Sequence, residues 1–224
     1  MDEPTKADLE AYRHVRDWVD ARRAAWQSAH LGTEDSLFTV ATSMVPLNRN
    51  RGWHHAWSDY EWGYFSAATT LVEDYVTKVE ADVLVYPILF LYRHYVELKL
   101  KSIILEAGAS IPCEMPSGAN NEHNVTKLWK MISDLLVQHG KNKMLRGSEG
   151  IERVLAQLTQ IDPSSMETRY ALKKDMKTAT LDQVRSLDLE NFKTVMIKLR
   201  SELDELEMLF QYVHECWWDE GPAV

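Results

Sequence analysis

The chain has 224 residues, of which 45% are hydrophobic and 10% aromatic, so it carries enough apolar surface for one sizeable core, which excludes general disorder. Its formal net charge of −9 excludes a surface that is basic all over. Because neutralising phosphates takes clustered Lys and Arg, any contact with nucleic acid must be local.

Cysteine content and apolar runs indicate the compartment. The two cysteines, Cys113 and Cys216, lack CxxC spacing and are too few for a disulfide framework. The polar start of the chain lacks a secretory signal pattern. The longest apolar run, Val83 to Tyr92, is roughly half of the about 20 residues that span a bilayer. We therefore expect a cytoplasmic protein without membrane contact.

Apolar residues at steps of three and four predict helices along most of the chain. The first helix is expected over Thr5 to Ala29. The second begins at Ser58, a candidate N-cap with Glu61 at the capping-box spacing. In residues 31–57 between them, the β-branched start fits a short extended segment and the Arg-rich end fits a surface loop. A third, strongly apolar helix is expected over about 81–107, before a loop rich in Pro, Gly and Asn.

Three more helices are predicted after that loop. The first covers about 122–138 with Asn121 as its cap, and the second ends at Asp162 before Pro163. The last, over 188–220, carries an unbroken apolar seam about 40 Å long: Leu189, Phe192, Met196, Leu199, Leu203, Leu206, Phe210, Val213 and Trp217. This seam either packs along the 81–107 helix inside one bundle or forms part of a dimer interface.

These elements predict an all-α fold, a helical bundle of about five to six helices. We expect residues 81–220 to form the bundle and residues 1–80 to form an N-terminal helical extension that packs on it. No repeat, low-complexity tract or change of composition marks a further boundary, so the two parts are expected to fold as one domain.

The third helix carries charge inside its apolar sequence. At 100° per residue, Arg93, His94, Glu97 and Lys101 fall on one arc with apolar residues on both flanks, so this group is expected to point inward or into a cleft. Ile88, Lys99 and Glu106 gather on the opposite side, which we expect to face water.

Two interpretations of this group stay open. Arg93, Glu97 and Lys101 at successive i,i+4 spacings make a structural salt-bridge ladder, or the group serves a binding or catalytic site. A di-metal site needs Glu-x-x-His from two helices, and the sequence contains none. His94 and Glu97 form the one His-x-x-Glu, so no metal and no cofactor are expected.

Three sequence features occur in a suggestive order: Glu97-Leu-Lys-Leu-Lys101 on an apolar helix, then His123-Asn-Val-Thr-Lys-Leu128 at the start of the next, then Arg169-Tyr170 after a Pro-Ser turn. With this order, residues 86–215 resemble the HEPN superfamily of helical bundles. That resemblance implies a dimer. It also implies one of three roles: a metal-independent RNase of toxin–antitoxin, CRISPR or phage-defence systems, a nucleotide-binding module, or an inactive scaffold.

The RNase members of that superfamily carry an Arg and, four to six residues beyond, a His. Arg93-His94 resembles the opening of this motif, but Leu98, Lys99 and Leu100 stand where the closing His is expected. Metal-free RNA cleavage needs a group that titrates near neutrality, which Leu and Lys do not supply. The departure favours a binding or regulatory protein over an intact nuclease.

Charge is unevenly distributed along the second half of the chain. Residues 121–187 hold eleven Lys and Arg against eight Asp and Glu, whereas residues 188–220 hold three against nine. This pattern indicates either complementary helix faces in one bundle or a local basic surface for RNA, a nucleotide or an acidic partner.

The sequence therefore predicts a cytoplasmic, HEPN-like binding or regulatory homodimer in a defence or toxin–antitoxin setting, with RNA, a nucleotide or a partner protein as its ligand. Candidate catalytic residues are Arg93, His94 and Glu97, and candidate binding residues are Lys101, His123, Arg169 and Tyr170. The alternatives are a divergent metal-independent endoribonuclease and a purely structural partner-binding module.

Overall fold

The computed structural model describes residues 53–75, 83–110, 116–181, 184 and 186–220. Five α-helices lie in these residues: α1 Trp53–Tyr75, α2 Val85–Ser110, α3 Val125–Gln138, α4 Glu149–Ile161 and α5 Leu189–Glu220. The predicted all-α bundle is confirmed for this part of the chain, where the one β feature recorded is an isolated antiparallel bridge between Leu172 and Ala179. The helix predicted over residues 5–29 and the segment 31–52 lie outside it, whereas residues 53–57, predicted as the end of a surface loop, are helical.

Helix α2 forms the centre of the bundle and contacts α1, α3 and α5. Its apolar residues face three neighbours, as expected for a helix that is apolar on most sides. The prediction that Ile88, Lys99 and Glu106 face water is wrong, because all three are buried. Helix α1 covers part of that side, where Glu61 lies near Lys99. Within the described residues, no helix is long and apolar enough to cross a membrane.

Helix α5 packs on α2 through the predicted seam. Six seam residues are buried: Leu189, Met196, Leu199, Leu203, Leu206 and Phe210. The interpretation of the seam as an internal contact of the bundle is therefore confirmed over this stretch. The side chains of Val213 and Trp217 lie outside the described set.

Two predicted helix starts are wrong. Helix α1 begins at Trp53, so Ser58 lies inside the helix, and Glu61 is a buried residue in place of a capping-box partner. Helix α3 is capped by Asn124, whose side chain accepts a hydrogen bond from the Lys127 backbone, while Asn121 ends a short 3₁₀ turn. The caps differ because Ser and Asn fit turns and helix starts equally well.

Candidate functional site

Glu97 on α2 is the centre of a buried charged cluster. Its Oε1 accepts a hydrogen bond from Lys101 Nζ at 3.0 Å and lies 2.8 Å from His123 Nδ1. Its Oε2 lies 3.5 Å from Arg93 Nη1. Arg93, Glu97 and Lys101 are all buried and pair at i,i+4 spacing, so the expectation of an inward-pointing group is confirmed for these three, whereas His94 is half-buried.

The Glu97 carboxyl is ionised at neutral pH in this environment. Burial favours its neutral form and is the largest influence on its pKa. Hydrogen bonds from Lys101 and His123 outweigh burial, and the pKa lies below its ordinary value. A buried anion is therefore fixed beneath the surface at the start of α3.

Arg93 connects two loops to this anion. Its side chain is only 1% exposed. Its Nε donates to the Asp162 carbonyl at 3.4 Å, and its Nη2 donates to the His123 carbonyl. Burial lowers the pKa of Arg93, and Glu97 opposes the shift. Its contacts favour a structural role, because the guanidinium donates to backbone carbonyls and is not presented to a ligand.

His123 is the member of the cluster that reaches the surface. Its side chain is 51% exposed although its Nδ1 contacts buried Glu97. Because ionised Glu97 is an acceptor, the neutral tautomer of His123 that fits this contact carries its proton on Nδ1 and its lone pair on Nε2. The Glu122 carboxylate accepts from the backbone N–H groups of His123 and Asn124 at 3.0 and 2.8 Å, and this fixes the loop.

His94 lies one helical position beyond Arg93 but in different surroundings. Its ring stacks on Phe90 with centroids 5.6 Å apart and meets the Tyr64 ring edge-on at 4.5 Å. Burial lowers its pKa; Glu97 opposes this, whereas Arg169 and Arg93 reinforce it. A neutral, half-buried His94 is thus an aromatic packing partner as well as a site candidate.

Asp162, which the sequence predicts only as the end of a helix, organises the segment beside the cluster. Its buried carboxylate accepts from the backbone N–H groups of Met166, Glu167 and Thr168, and from the Thr168 hydroxyl at 2.5 Å. The Asp-Pro-Ser-Ser sequence was the available signal, since Asp side chains bond to backbone a few residues on in such turns. This turn leads to Arg169, which donates to the Ser165 carbonyl at 2.5 Å.

Residues 171–180 form a short turn that we call the lysine hairpin. Lys173 N donates to the Thr178 carbonyl at 2.8 Å, and the Asp175 carboxylate accepts from the Lys177 and Thr178 backbone. Three lysines are exposed on it, Lys173, Lys174 and Lys177. Arg169 and Tyr170 are exposed just before it.

The structure thus brings Arg93, Glu97, Lys101 and His123 into direct contact, with Lys101 also donating to the Asn120 carbonyl at 3.1 Å. Arg169 is close enough to influence the pKa of His94, and Tyr170 leads into the lysine hairpin. In the described part of the chain, no cluster of three or more His, Cys, Asp or Glu is arranged to hold a metal ion.

A second charged cluster, centred on Lys99, was not predicted. Lys99 Nζ lies 2.6 Å from carboxylate oxygens of both Asp204 and Glu207. The helical wheel placed Lys99 toward water, so no sequence signal marked this cluster.

Comparison of the chain with protein-family models, with curated proteins and with solved structures finds no match.

Proposed function

We propose that the protein is a HEPN-like binding protein that holds single-stranded RNA across His123 and the lysine hairpin. The observation that carries the proposal is the exposed His123 imidazole fixed at 2.8 Å by the buried Glu97 carboxylate. A buried charge that serves only stability can commonly be replaced by apolar side chains. Because the Glu97 carboxylate also orients a surface histidine, it favours a functional role.

The lysine hairpin supports an anionic ligand. Its lysines lie on one short turn with Asp175, whose carboxylate is already occupied by backbone N–H groups. Arg169 and Tyr170 precede them, so cations and an aromatic ring occur together, as in surfaces that bind single strands. Arg93 links His123 to the Asp162 turn that precedes Arg169, because its guanidinium donates to the carbonyls of both Asp162 and His123.

Charge-reversing substitutions test this assignment. We expect Lys174→Glu and Lys177→Glu to weaken binding of a fluorescent single-stranded RNA at low salt by tenfold or more. Each should also reduce the slope of log K against log salt by about 0.7 if it removes one phosphate contact. Lys130→Glu, an exposed lysine on α3 outside the hairpin, is the matched control and should leave affinity and slope unchanged. Equal losses in all three variants would contradict a specific surface.

A divergent endoribonuclease is the second candidate, favoured by the Glu97–His123 pair. A histidine oriented through Nδ1 by a carboxylate has a free Nε2 that can accept the 2′-hydroxyl proton. If the protein is an endoribonuclease, we expect the wild type to cut single-stranded RNA in the presence of EDTA and the His123→Ala variant not to cut it. If RNA stays intact after prolonged incubation with wild-type protein, the endoribonuclease is contradicted and only the binding role remains.

We further propose a homodimer in a cytoplasmic defence or toxin–antitoxin setting. The setting follows from the resemblance of residues 86–215. For the dimer, α5 supplies an outward apolar surface in Met208, Leu209 and Tyr212, all of which are exposed.

A further inference from the structure

A cavity of about 240 Å³ lies at the junction of α1, α2 and α5, and we call it the three-helix cavity. It is lined mainly by polar and charged side chains, among them Glu61 from α1, Tyr95 and Lys99 from α2, and Asp204 and Glu207 from α5. The Glu97–His123 site does not contribute to it.

Most polar atoms around the cavity are already paired. Lys99 Nζ lies 2.6 Å from Asp204 Oδ1 and from Glu207 Oε2. The other Asp204 oxygen lies 3.3 Å from Arg200 Nε, and the other Glu207 oxygen accepts from Ser102 Oγ at 2.9 Å. All four oxygens of these two carboxylates therefore have a partner.

Glu61 and Tyr95 are the exceptions. Glu61 Oε2 lies 3.6 Å from Lys99 Nζ, and Glu61 Oε1 has no hydrogen-bond partner. The Tyr95 hydroxyl also has none. Both residues line the cavity, and they are only 7% and 2% exposed. Unpaired polar atoms at such burial are uncommon and call for a group that satisfies them.

The charge balance indicates the sign of that group. Three carboxylates face the ammonium of Lys99 and the guanidinium of Arg200, so one negative charge is in excess when Glu61 is ionised. Burial raises the pKa of Glu61 to about 7, and Glu207 and Asp204 reinforce the shift, whereas Lys99 and the Ser102 hydroxyl oppose it. The excess charge and the unpaired oxygen thus belong to the same side chain, and a cation beside it would stabilise the ionised form.

We propose that the three-helix cavity binds a small primary ammonium group that donates one hydrogen bond to Glu61 Oε1 and one to the Tyr95 hydroxyl. An ammonium has three N–H donors and so can satisfy both atoms at once. The cavity is smaller than the roughly 300–1,000 Å³ of sites for drug-sized ligands, which restricts it to a short amine or the end of a lysine side chain.

Thermal unfolding and calorimetry in phosphate buffer without amines test the proposal. We expect methylammonium chloride at pH 8 to raise the melting temperature saturably, and tetramethylammonium chloride, a cation without N–H donors, to have no such effect. Binding should be about tenfold weaker at pH 6, where protonated Glu61 predominates. Nα-acetyl-lysine amide distinguishes the two sources of the ammonium group. Affinity comparable to that of methylammonium indicates a lysine side chain as the ligand, and no binding indicates a free amine.

Two variants and one control connect the result to the cavity. Glu61→Gln and Tyr95→Phe should each weaken methylammonium binding tenfold or more. Tyr95→Phe removes a hydroxyl without a partner, so it should fold normally. Tyr92→Phe, whose hydroxyl pairs with Thr69 at 3.0 Å, should bind as the wild type does. The proposal is overturned if both cations act alike or if Glu61→Gln retains full affinity.

Discussion

At the scale of single residues, two buried carboxyls on neighbouring helices differ in their partners. Glu97 accepts a hydrogen bond from Lys101 at 3.0 Å and pairs with His123 at 2.8 Å, and its pKa lies below the ordinary value. Glu61 has Lys99 at 3.6 Å and an unpaired oxygen, and burial raises its pKa to about 7. Because hydrogen bonding and burial act in opposite directions, the two carboxyls should change the pH dependence of stability with opposite signs.

Glu97→Ala should reduce the free energy of unfolding by about 3–5 kcal/mol, because it removes the carboxylate that pairs with buried Arg93 and Lys101. Glu97→Gln keeps the shape and should cost less. Since the folded-state pKa of Glu97 is lowered, its contribution is present above about pH 4.5 and lost as pH falls below it. Chemical denaturation at pH 7 and pH 3.5 measures both effects.

The exposed pair between Lys130 and Asp134, 2.7 Å apart on α3, is the matched control for Glu97. Asp134→Asn should change stability by less than about 0.5 kcal/mol, because exposed i,i+4 pairs contribute little. A loss for Glu97→Ala no larger than that of Asp134→Asn would mean that the buried ladder does not stabilise the bundle.

Glu61 should act in the opposite direction. Its raised pKa means that the folded state retains a proton that the unfolded state releases above about pH 4.5. As pH rises from 4.5 to 7, the free energy of unfolding of the wild type should therefore fall by on the order of 3 kcal/mol more than that of Glu61→Gln. Above pH 7 this difference should level off. Denaturation midpoints across pH 4.5 to 8.5 decide, and parallel curves for the two proteins would contradict the assignment.

At the scale of elements, the start of α3 positions the site. Asn124 accepts from Lys127 N at 3.1 Å, so the cap fixes the residue that directly follows His123. We expect Asn124→Ala to destabilise the protein by about 1 kcal/mol and to loosen the His123 loop. Asn121→Ala, in the neighbouring 3₁₀ turn, should cost less than about 0.5 kcal/mol. Denaturation of the two variants compares them, and an equal or reversed order would contradict the cap.

Helix periodicity was sufficient to predict what depends on one helix at a time. The α5 seam and the inward-pointing Arg93, Glu97 and Lys101 follow from angular position, and both were predicted. Lys99 was predicted wrongly because a helical wheel gives direction but not the number of neighbouring helices. Its carboxylate partners come from α1 and α5, and even the nearest in sequence, Glu61, is more than thirty residues away.

Distances between loops cannot be obtained from residue spacing along the chain, so the Arg93 contacts could not be predicted. His123 was a candidate from the resemblance alone, and its contact with Glu97 depends on how the loop after the 3₁₀ turn approaches α2. Asp162 was named for the Pro that follows it, whereas its buried carboxylate holds three backbone N–H groups. Such roles depend on loop geometry, which residue type restricts only weakly.

At the scale of the whole molecule, we predict a homodimer. Light scattering at tens of micromolar should give about twice the chain mass of 25.9 kDa. Leu209→Glu should shift the protein toward the monomer, because it places a charge among the exposed apolar side chains of α5. Lys198→Glu on the same helix is the charge control. Wild-type protein that is monomeric at this concentration would contradict the predicted dimer.

If the His123 imidazole, oriented by Glu97, faces the bound RNA, titration of ¹⁵N-histidine-labelled protein with single-stranded RNA should detect it. His139, at the other end of α3, is the internal reference, and the His123→Ala and His139→Ala variants assign the signals. We predict that the His123 Nε2 signal shifts saturably at low salt while the His139 signals stay in place. Saturable binding that leaves the His123 signals unmoved, or no binding at all, would contradict it.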